Sequence, residues 1–185
     1  MTALTEPKGN LAMPCGVNPD GNLRPLLVDA DGKLITAGGG AGDVSLYRAR
    51  AFPNSNDSIG DSAFETLKLD AESFDPNANF NTATYTYTVP VAGTYLLMAQ
   101  VSFLSAVVVA NKSVGIRILK GGAQMCITLI HAAYIADIYA LTNNIAALAA
   151  NDEITVEVYQ SFGAAKALSG NTARTFFAVH CLSLA

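Results

Sequence analysis

The sequence predicts an all-β protein, an antiparallel β-sandwich preceded by an extended N-terminal arm, and three observations predict it. From Val44 onward, short alternating segments are separated by clusters of Gly, Asn, Asp and Ser at near-regular spacing, the rhythm of sandwich strands. Residues 1–43 have a different texture, with Pro7, Pro14, Pro19 and Pro25 and a closing Gly-rich run from Ala37 to Asp43. Charged residues make up only 14% of the chain and apolar residues 51%, against about 25% charged in an ordinary soluble domain. So little charge coats a solitary domain poorly, and burial of surface between copies of the chain is the economical expectation.

A chain of 185 residues suits one full domain and an appendage. The texture change places the boundary after Asp43, giving an arm and linker over 1–43 and a sandwich domain over 44–185. Within the arm, Leu26 to Val28 and Lys33 to Thr36 read as two short strands around a turn on Asp29, Ala30, Asp31 and Gly32. A hairpin this small holds no core alone and needs a partner surface. Asp at alternate positions before Gly also opens a calcium loop of the EF-hand kind, but the later ligands and the closing Glu are missing, so a plain Asp-Gly turn is expected.

In the sandwich domain, Ser45 to Ala51 sets Leu46, Arg48 and Arg50 against Tyr47, Ala49 and Ala51, the alternation of a half-buried strand. The polar stretch from Phe52 to Phe64 reads as a surface loop, followed by a strand from Glu65 to Leu69 and a second loop from Asp70 to Phe80. Strands are expected over Ala83 to Val89, Gly93 to Phe103, Val114 to Leu119, ended by Gly121 and Gly122, and Gln124 to Ile130. His131 to Ala150 is rich in Ala and Leu and open to helix or strand; two strands around a turn at Asn143 and Asn144 fit the rhythm better. Glu153 to Gln160 and Arg174 to Leu184 read as core strands, separated by the loop from Ser161 to Asn171.

The same residues exclude several functions. Net charge is −4 with no cluster of Lys or Arg, so a nucleic-acid surface is not expected. The start lacks a basic segment followed by an apolar one, so no secretory signal is read there. The longest apolar run, Tyr95 to Ala110, is broken by Gln100, Ser102 and Ser105 and falls short of the roughly 20 residues of a membrane helix. Cys15, Cys126 and Cys181 lack the paired spacing of a zinc site or disulfide framework and read as small buried residues. Only His131 and His180 could act as bases near neutral pH; each lies in an apolar run, with no triad, metal-spaced cluster or phosphate loop beside it, so both read as buried or interface residues. His180 and Cys181 are neighbours in a strand and point to opposite faces, which prevents a Cys-His pair. Asp152 and Glu153 read as polar residues at the start of a strand, and Asp57, Asp61 and Asp75 as solvated loop acids without calcium-ligand spacing. No enzyme, cofactor or metal is expected.

Three ordered stretches carry a family resemblance. Phe74 to Leu97 holds an Asn-rich turn, a strand with Tyr87 ending at Pro90, and then Gly93 and Tyr95 opening the next strand. Leu148 to Gln160 presents Asn151 and Asp152 before an alternating strand, and Asn171 to Leu184 closes the chain with Phe176 near its start. In this order and spacing they resemble the globular head of the complement C1q family, a jelly roll related to tumour necrosis factor, over about Val44 to Ala185. In that family Gly is usual where Asn151 stands, and Asn tolerates the same positive φ. The resemblance implies a jelly-roll sandwich that packs as a threefold homotrimer. Secreted members carry a signal peptide and a collagen-like stem, and neither is read in these residues, so a secreted complement-type protein is not expected. The arm, Arg24 to Gly39, resembles short linker segments of tailed-bacteriophage virion proteins.

Together these imply a structural virion protein: a trimeric capsid cement or decoration protein on the capsid surface, with Leu23, Leu26, Leu27, Val28, Leu34 and Ile35 of the arm meeting the major capsid protein. The alternative is a tail-fibre tip or adhesin that recognises a host glycan or protein through its loops, with Tyr134, Tyr139 and Phe162 as available aromatic residues.

Overall fold

The structure is a computed structural model that describes residues 44–185 and, before them, Met13–Val17, Leu23–Val28 and Leu34–Ile35. The chain divides into two compact units, Met1–Ala41 and Gly42–Ala185. In the first, β1 (Met13–Val17), β2 (Leu23–Val28) and β3 (Leu34–Ile35) form an antiparallel sheet in the order β1-β2-β3. Leu27 lies opposite Ile35 and Val28 opposite Leu34, so the two expected strands do pair. β1 was not anticipated; it contains Pro14 and Gly16, two residue types that weaken strands. The expected Asp29 to Gly32 turn lies outside the described residues, as do Lys33 and Thr36.

The second unit opens with a 3₁₀ turn, Val44–Leu46, followed by β4 (Arg48–Phe52), β5 (Ser58–Ile59), β6 (Phe64–Thr66) and β7 (Ala71–Phe74). Then come β8 (Phe80–Asn81), β9 (Thr86–Thr88), β10 (Gly93–Phe103), β11 (Lys112–Lys120) and β12 (Ala123–Ala132). β13 (Ile138–Leu148), β14 (Glu153–Gln160), β15 (Lys166–Ala167) and β16 (Phe176–Leu184) complete it. One sheet runs β13-β10-β16-β4-β7 and the other β12-β11-β14-β9-β8, with β6 also on β14; β15 pairs with β5. Every pairing is antiparallel, as a jelly roll requires.

The core follows from alternation. On β10, Tyr95, Leu97, Ala99 and Val101 point inward and are wholly buried, facing Val114, Ile116 and Ile118 of β11 and Ile154, Val156 and Val158 of β14 in one cluster. Tyr87, Phe103 and Phe177 supply its largest remaining side chains.

Several expectations are corrected. Asn143 and Asn144 form no turn: they sit mid-strand in β13, opposite Met98 and Leu97. The reversal falls instead at 133–137, which holds neither Gly nor Pro. Residues 44–46 coil into a 3₁₀ turn instead of starting a strand, and the loop expected over Asp70 to Phe80 contains β7. Cys181 is buried, as expected, but Cys126 is only half-buried.

Candidate functional site

The topology gives the sandwich two unlike ends. At the turn end, Gly93 lies opposite both Leu148 and Leu184, and Lys120 opposite Ile154. The tight turns here are stitched together: Asn151 N donates to Val89 O at 2.7 Å and Val89 N to Asp152 O at 2.9 Å. Asn151 takes a φ of 70°, which Asn accepts more readily than other side chains. Gly93 is required by close approach, since a Cβ on it would lie 2.4 Å from Ser183 O. Pro90 and Asp152 sit in the same turns, where the Asp152 carboxylate accepts from Ala149 N at 2.8 Å and pairs with Lys120 at 3.3 Å. Tyr87 and Tyr95 rise into the core beside them; the Tyr95 hydroxyl donates to Val91 O at 2.8 Å. Phe176 stands apart, at the far end of β16, under the Arg50 guanidinium at 4.5 Å. β4 also starts at the turn end, because Arg48 pairs with His180 and Ala51 with Phe177.

The other end carries the long loops. They are tied down by polar side chains that the sequence reading did not single out. The Gln160 amide donates to Ile59 O, Gly60 O and Ala164 O at 2.9–3.0 Å and accepts from Phe162 N at 2.6 Å. Arg174 pairs with Asp137 at 2.8 Å, and Asp137 also accepts from Ser105 N at 2.8 Å. This pair holds the Asp137 carboxyl below its ordinary range and raises Arg174. Position alone could have flagged Gln160, which continues the inward row Ile154, Val156, Val158 and so must satisfy an amide inside the core.

Of the aromatic residues proposed for this end, Tyr134 is 72% exposed and Tyr139 lies beneath Arg174, but Phe162 is 5% exposed and packs edge-on against Phe103. Phe162 is therefore core, with its ring drawn in by the Gln160 latch.

No catalytic constellation forms among the described residues. His131 is exposed on β12 in the single chain, which leaves the interface half of the expectation, and its Nδ1 lies 3.4 Å from Ser113 Oγ. His180 is half-buried on β16 with Cys181 on the opposite face. Asp57, Asp61 and Asp75 do not converge. Asp57 pairs with Lys68 at 3.1 Å, Asp61 accepts from Gly163 N at 2.7 Å, and Asp75 accepts from Phe80 N at 2.6 Å. No group of three or more His, Cys, Asp or Glu among the described residues could hold a metal.

What the sandwich does expose is apolar surface. β12 and β13 are the terminal strands of their sheets, flank the same side, and carry no Asp, Glu, Lys or Arg in AQMCITLIHA and IYALTNNIAAL. Leu129 is 60% and Ile145 62% exposed. The outer face of the β13-β10-β16 sheet continues this surface with Tyr139, Leu141, Leu96 and Met98. On the opposite flank, by contrast, the edge strand β7 carries Glu72.

The fold is a TNF/C1q-like jelly roll. The crystal structure of murine APRIL at pH 5.0 matches with a TM-score of 0.56 at 18% identity, over 73% of this chain and 98% of that one. The globular domain of zebrafish complement 1qA matches at 0.56 with 10% identity, over 75% of this chain and 98% of its own. Eiger TNF from S. frugiperda matches at 0.50 with 15% identity, over 75% and 93%. No family model matches the chain, and neither does any curated protein.

Proposed function

We propose that this chain is a non-catalytic structural protein that works as a closed homotrimer. The carrying observation is the pair of charge-free edge strands, β12 and β13, beside an apolar outer sheet face. Long uncharged edges invite uncontrolled pairing unless something covers them. A flank and a sheet face are two different patches, so their contact is heterologous and closes only as a ring. The neighbouring folds and the charge deficit of the sequence favour three copies. Each fully covered Leu or Ile contributes about 1.5–3 kcal/mol, so a handful of such side chains suffices for stable association. Sedimentation should give a mass three times the 19.3 kDa chain, and Leu141→Asp with Ile145→Asp should give a folded monomer. A wild-type monomer at micromolar concentration overturns the trimer.

In its finer form, the reading is a capsid cement or decoration protein of a tailed bacteriophage, located on the virion surface and partnered with the major capsid protein. Support comes from the polarity of the sandwich: β4 runs from the turn end toward the long loops. The expected contacts Leu23, Leu26, Leu27 and Val28 lie on β2, and Leu34 and Ile35 on β3. Deleting residues 1–40 should leave a trimer that no longer cosediments with phage shells; undiminished binding sinks the capsid reading.

One observation favours a recognition head instead: Tyr134 and Ile135, 72% and 66% exposed, project at the loop end. A tail-fibre tip or adhesin presents such residues to a host glycan or protein. Electron microscopy of labelled virions separates the two, by label on the shell or on the tail.

A further inference from the structure

Tyr85 has a backbone φ of 58°, in the left-handed region that a bulky side chain seldom occupies. It stands in the turn between β8 and β9, where Asn or Gly would be less strained. Its ring closes one side of a cleft of about 170 Å³, whose other walls are Pro53, Ser55, Asp57, Lys68 and Asp70. These residues come from the segment between β4 and β5, the link from β6 to β7, and the β8-β9 turn. β7 and β8 end their sheets on the side away from β12 and β13. The cleft is therefore on the flank that the proposed ring of subunits leaves uncovered, and it is open to solvent in monomer and trimer alike.

The walls are held in place. Asp70 Oδ1 accepts from Asn54 N at 2.6 Å, Lys68 Nζ pairs with Asp57 Oδ1 at 3.1 Å, and Leu168 N donates to Asp57 O at 2.8 Å. Gly170 backs Ser55 so closely that a Cβ on it would lie 2.4 Å from the Ser55 carbonyl. Asp57 Oδ2 is closed off from solvent, so Asp57 acts by orienting Lys68. Hydrogen-bonding capacity of both kinds is left over. Among the described residues, the second oxygen of Asp70, the hydroxyls of Ser55 and Tyr85, and two of the three N–H groups of Lys68 have no protein partner.

We propose that this cleft binds a neutral pyranose sugar, with its ring face on Tyr85 and its hydroxyls between Asp70 and Lys68. A carboxylate only accepts hydrogen bonds and an ammonium only donates them. A ligand group that meets both must do both, as a hydroxyl does. Asp57 and Asp70 repel an anion and Lys68 repels a cation, which leaves an uncharged polyol. The Tyr85 ring and Pro53 supply the apolar surface that the C–H side of a pyranose needs. The volume is below the roughly 300–1,000 Å³ of drug-sized pockets, so one sugar ring enters and any further residues stay in solvent. This site is separate from Tyr134 and Ile135, which belong to the loop end.

The test titrates the full chain with methyl β-D-glucopyranoside, methyl β-D-galactopyranoside and methyl α-D-mannopyranoside, following the backbone amides of Ser55, Asp70 and Tyr85 by NMR. Saturable shifts are expected with at least one of them. Binding should be at least about 10-fold weaker with 2-methoxytetrahydropyran, which keeps the ring and lacks the hydroxyls. Asp70→Asn keeps the bond to Asn54 N but loses the charge, and should weaken the sugar about 10-fold. Tyr85→Asn accepts the same φ without the ring, so the turn survives and binding should be lost. Lys112→Met, at the start of β11, should leave binding unchanged. No saturable shift with any of the three sugars up to about 50 mM, equal affinity for 2-methoxytetrahydropyran, or undiminished binding by Tyr85→Asn overturns the proposal. The comparison of ring and sugar uses the unaltered protein, so it stands even if a variant fails to fold.

Discussion

Gln160 reaches across the loop end to Ile59, its Nε2 donating to the Ile59 carbonyl at 3.0 Å with both residues buried. The sequence separates them by about a hundred residues, and three further hydrogen bonds from the same amide fasten Gly60, Phe162 and Ala164. One side chain therefore fixes two loops. Gln160→Leu keeps volume but removes all four bonds, leaving buried carbonyls and an N–H unpaired. The expected loss is about 2–4 kcal/mol, from a cost of about 1–3 kcal/mol for each group that stays dry. Urea denaturation measures it, and hydrogen exchange should accelerate at Phe162 before the sheets open.

Gly93 tests the turn end. With Ser183 O only 2.4 Å from where a Cβ would sit, and Leu184 Cα at 3.3 Å, Gly93→Ala must push two strands of one sheet apart. A destabilisation of about 1–3 kcal/mol is expected, read as a lower thermal midpoint with an unchanged far-ultraviolet spectrum.

Tyr87 and Tyr95 are both buried, but only one hydroxyl is satisfied. Tyr95 donates to Val91 O, whereas the Tyr87 hydroxyl has no protein partner among the described residues. Tyr95→Phe should cost about 1 kcal/mol, the net value of a hydrogen bond. Tyr87→Phe removes an unpaired polar atom and should be neutral or mildly stabilising. Chemical denaturation of the two variants compares them directly.

Burial, first, pushes both tyrosines well above the ordinary phenol range, because it penalises the phenolate. The neutral form is therefore favoured by folding. This stability is fully present below the unfolded value of about 10 and is lost as pH rises above it. In an alkaline titration followed at 295 nm, two of the seven tyrosines should ionise only together with unfolding.

At the acid end the sign reverses. The hydrogen bond from Arg174, then that from Ser105 N, holds the Asp137 carboxyl low. Its contribution is present above the unfolded value of about 3.9 and lost as pH falls through the lower folded one. Because the group is exposed, the expected effect is local: the protection factor of the Ser105 amide, its exchange rate relative to that of an unstructured amide at the same pH, should fall on acidification, while the β10-β13 ladder stays protected.

Strands with one face in the core and one mixed face were legible. β10 and β14 run as expected over Gly93–Phe103 and Glu153–Gln160, because each has a strict inward row. β13 was misread because Tyr139, Leu141 and Ile145 are apolar on the outward side too, which erases the period of two. The Asn-Asn pair then looked like the only place to turn, but eleven ladder pairs to β10 outweigh that local preference. β7 was lost for the opposite reason, since AESF is mostly exposed and gives no inward row. The polar latches at the loop end join residues far apart in sequence, and only the inward position of Gln160 hinted at one.

The two charge-free edges also bear on what happens before assembly. An edge bearing Lys or Glu rejects most wrong neighbours by repulsion, whereas β12 and β13 have no such filter and rely on shape alone. A newly made chain is then in a race between finding its own kind and sticking to whatever else is nearby. Yield on refolding should depend on how quickly chains meet, and it should be sensitive to other unfolded polypeptides in the mixture.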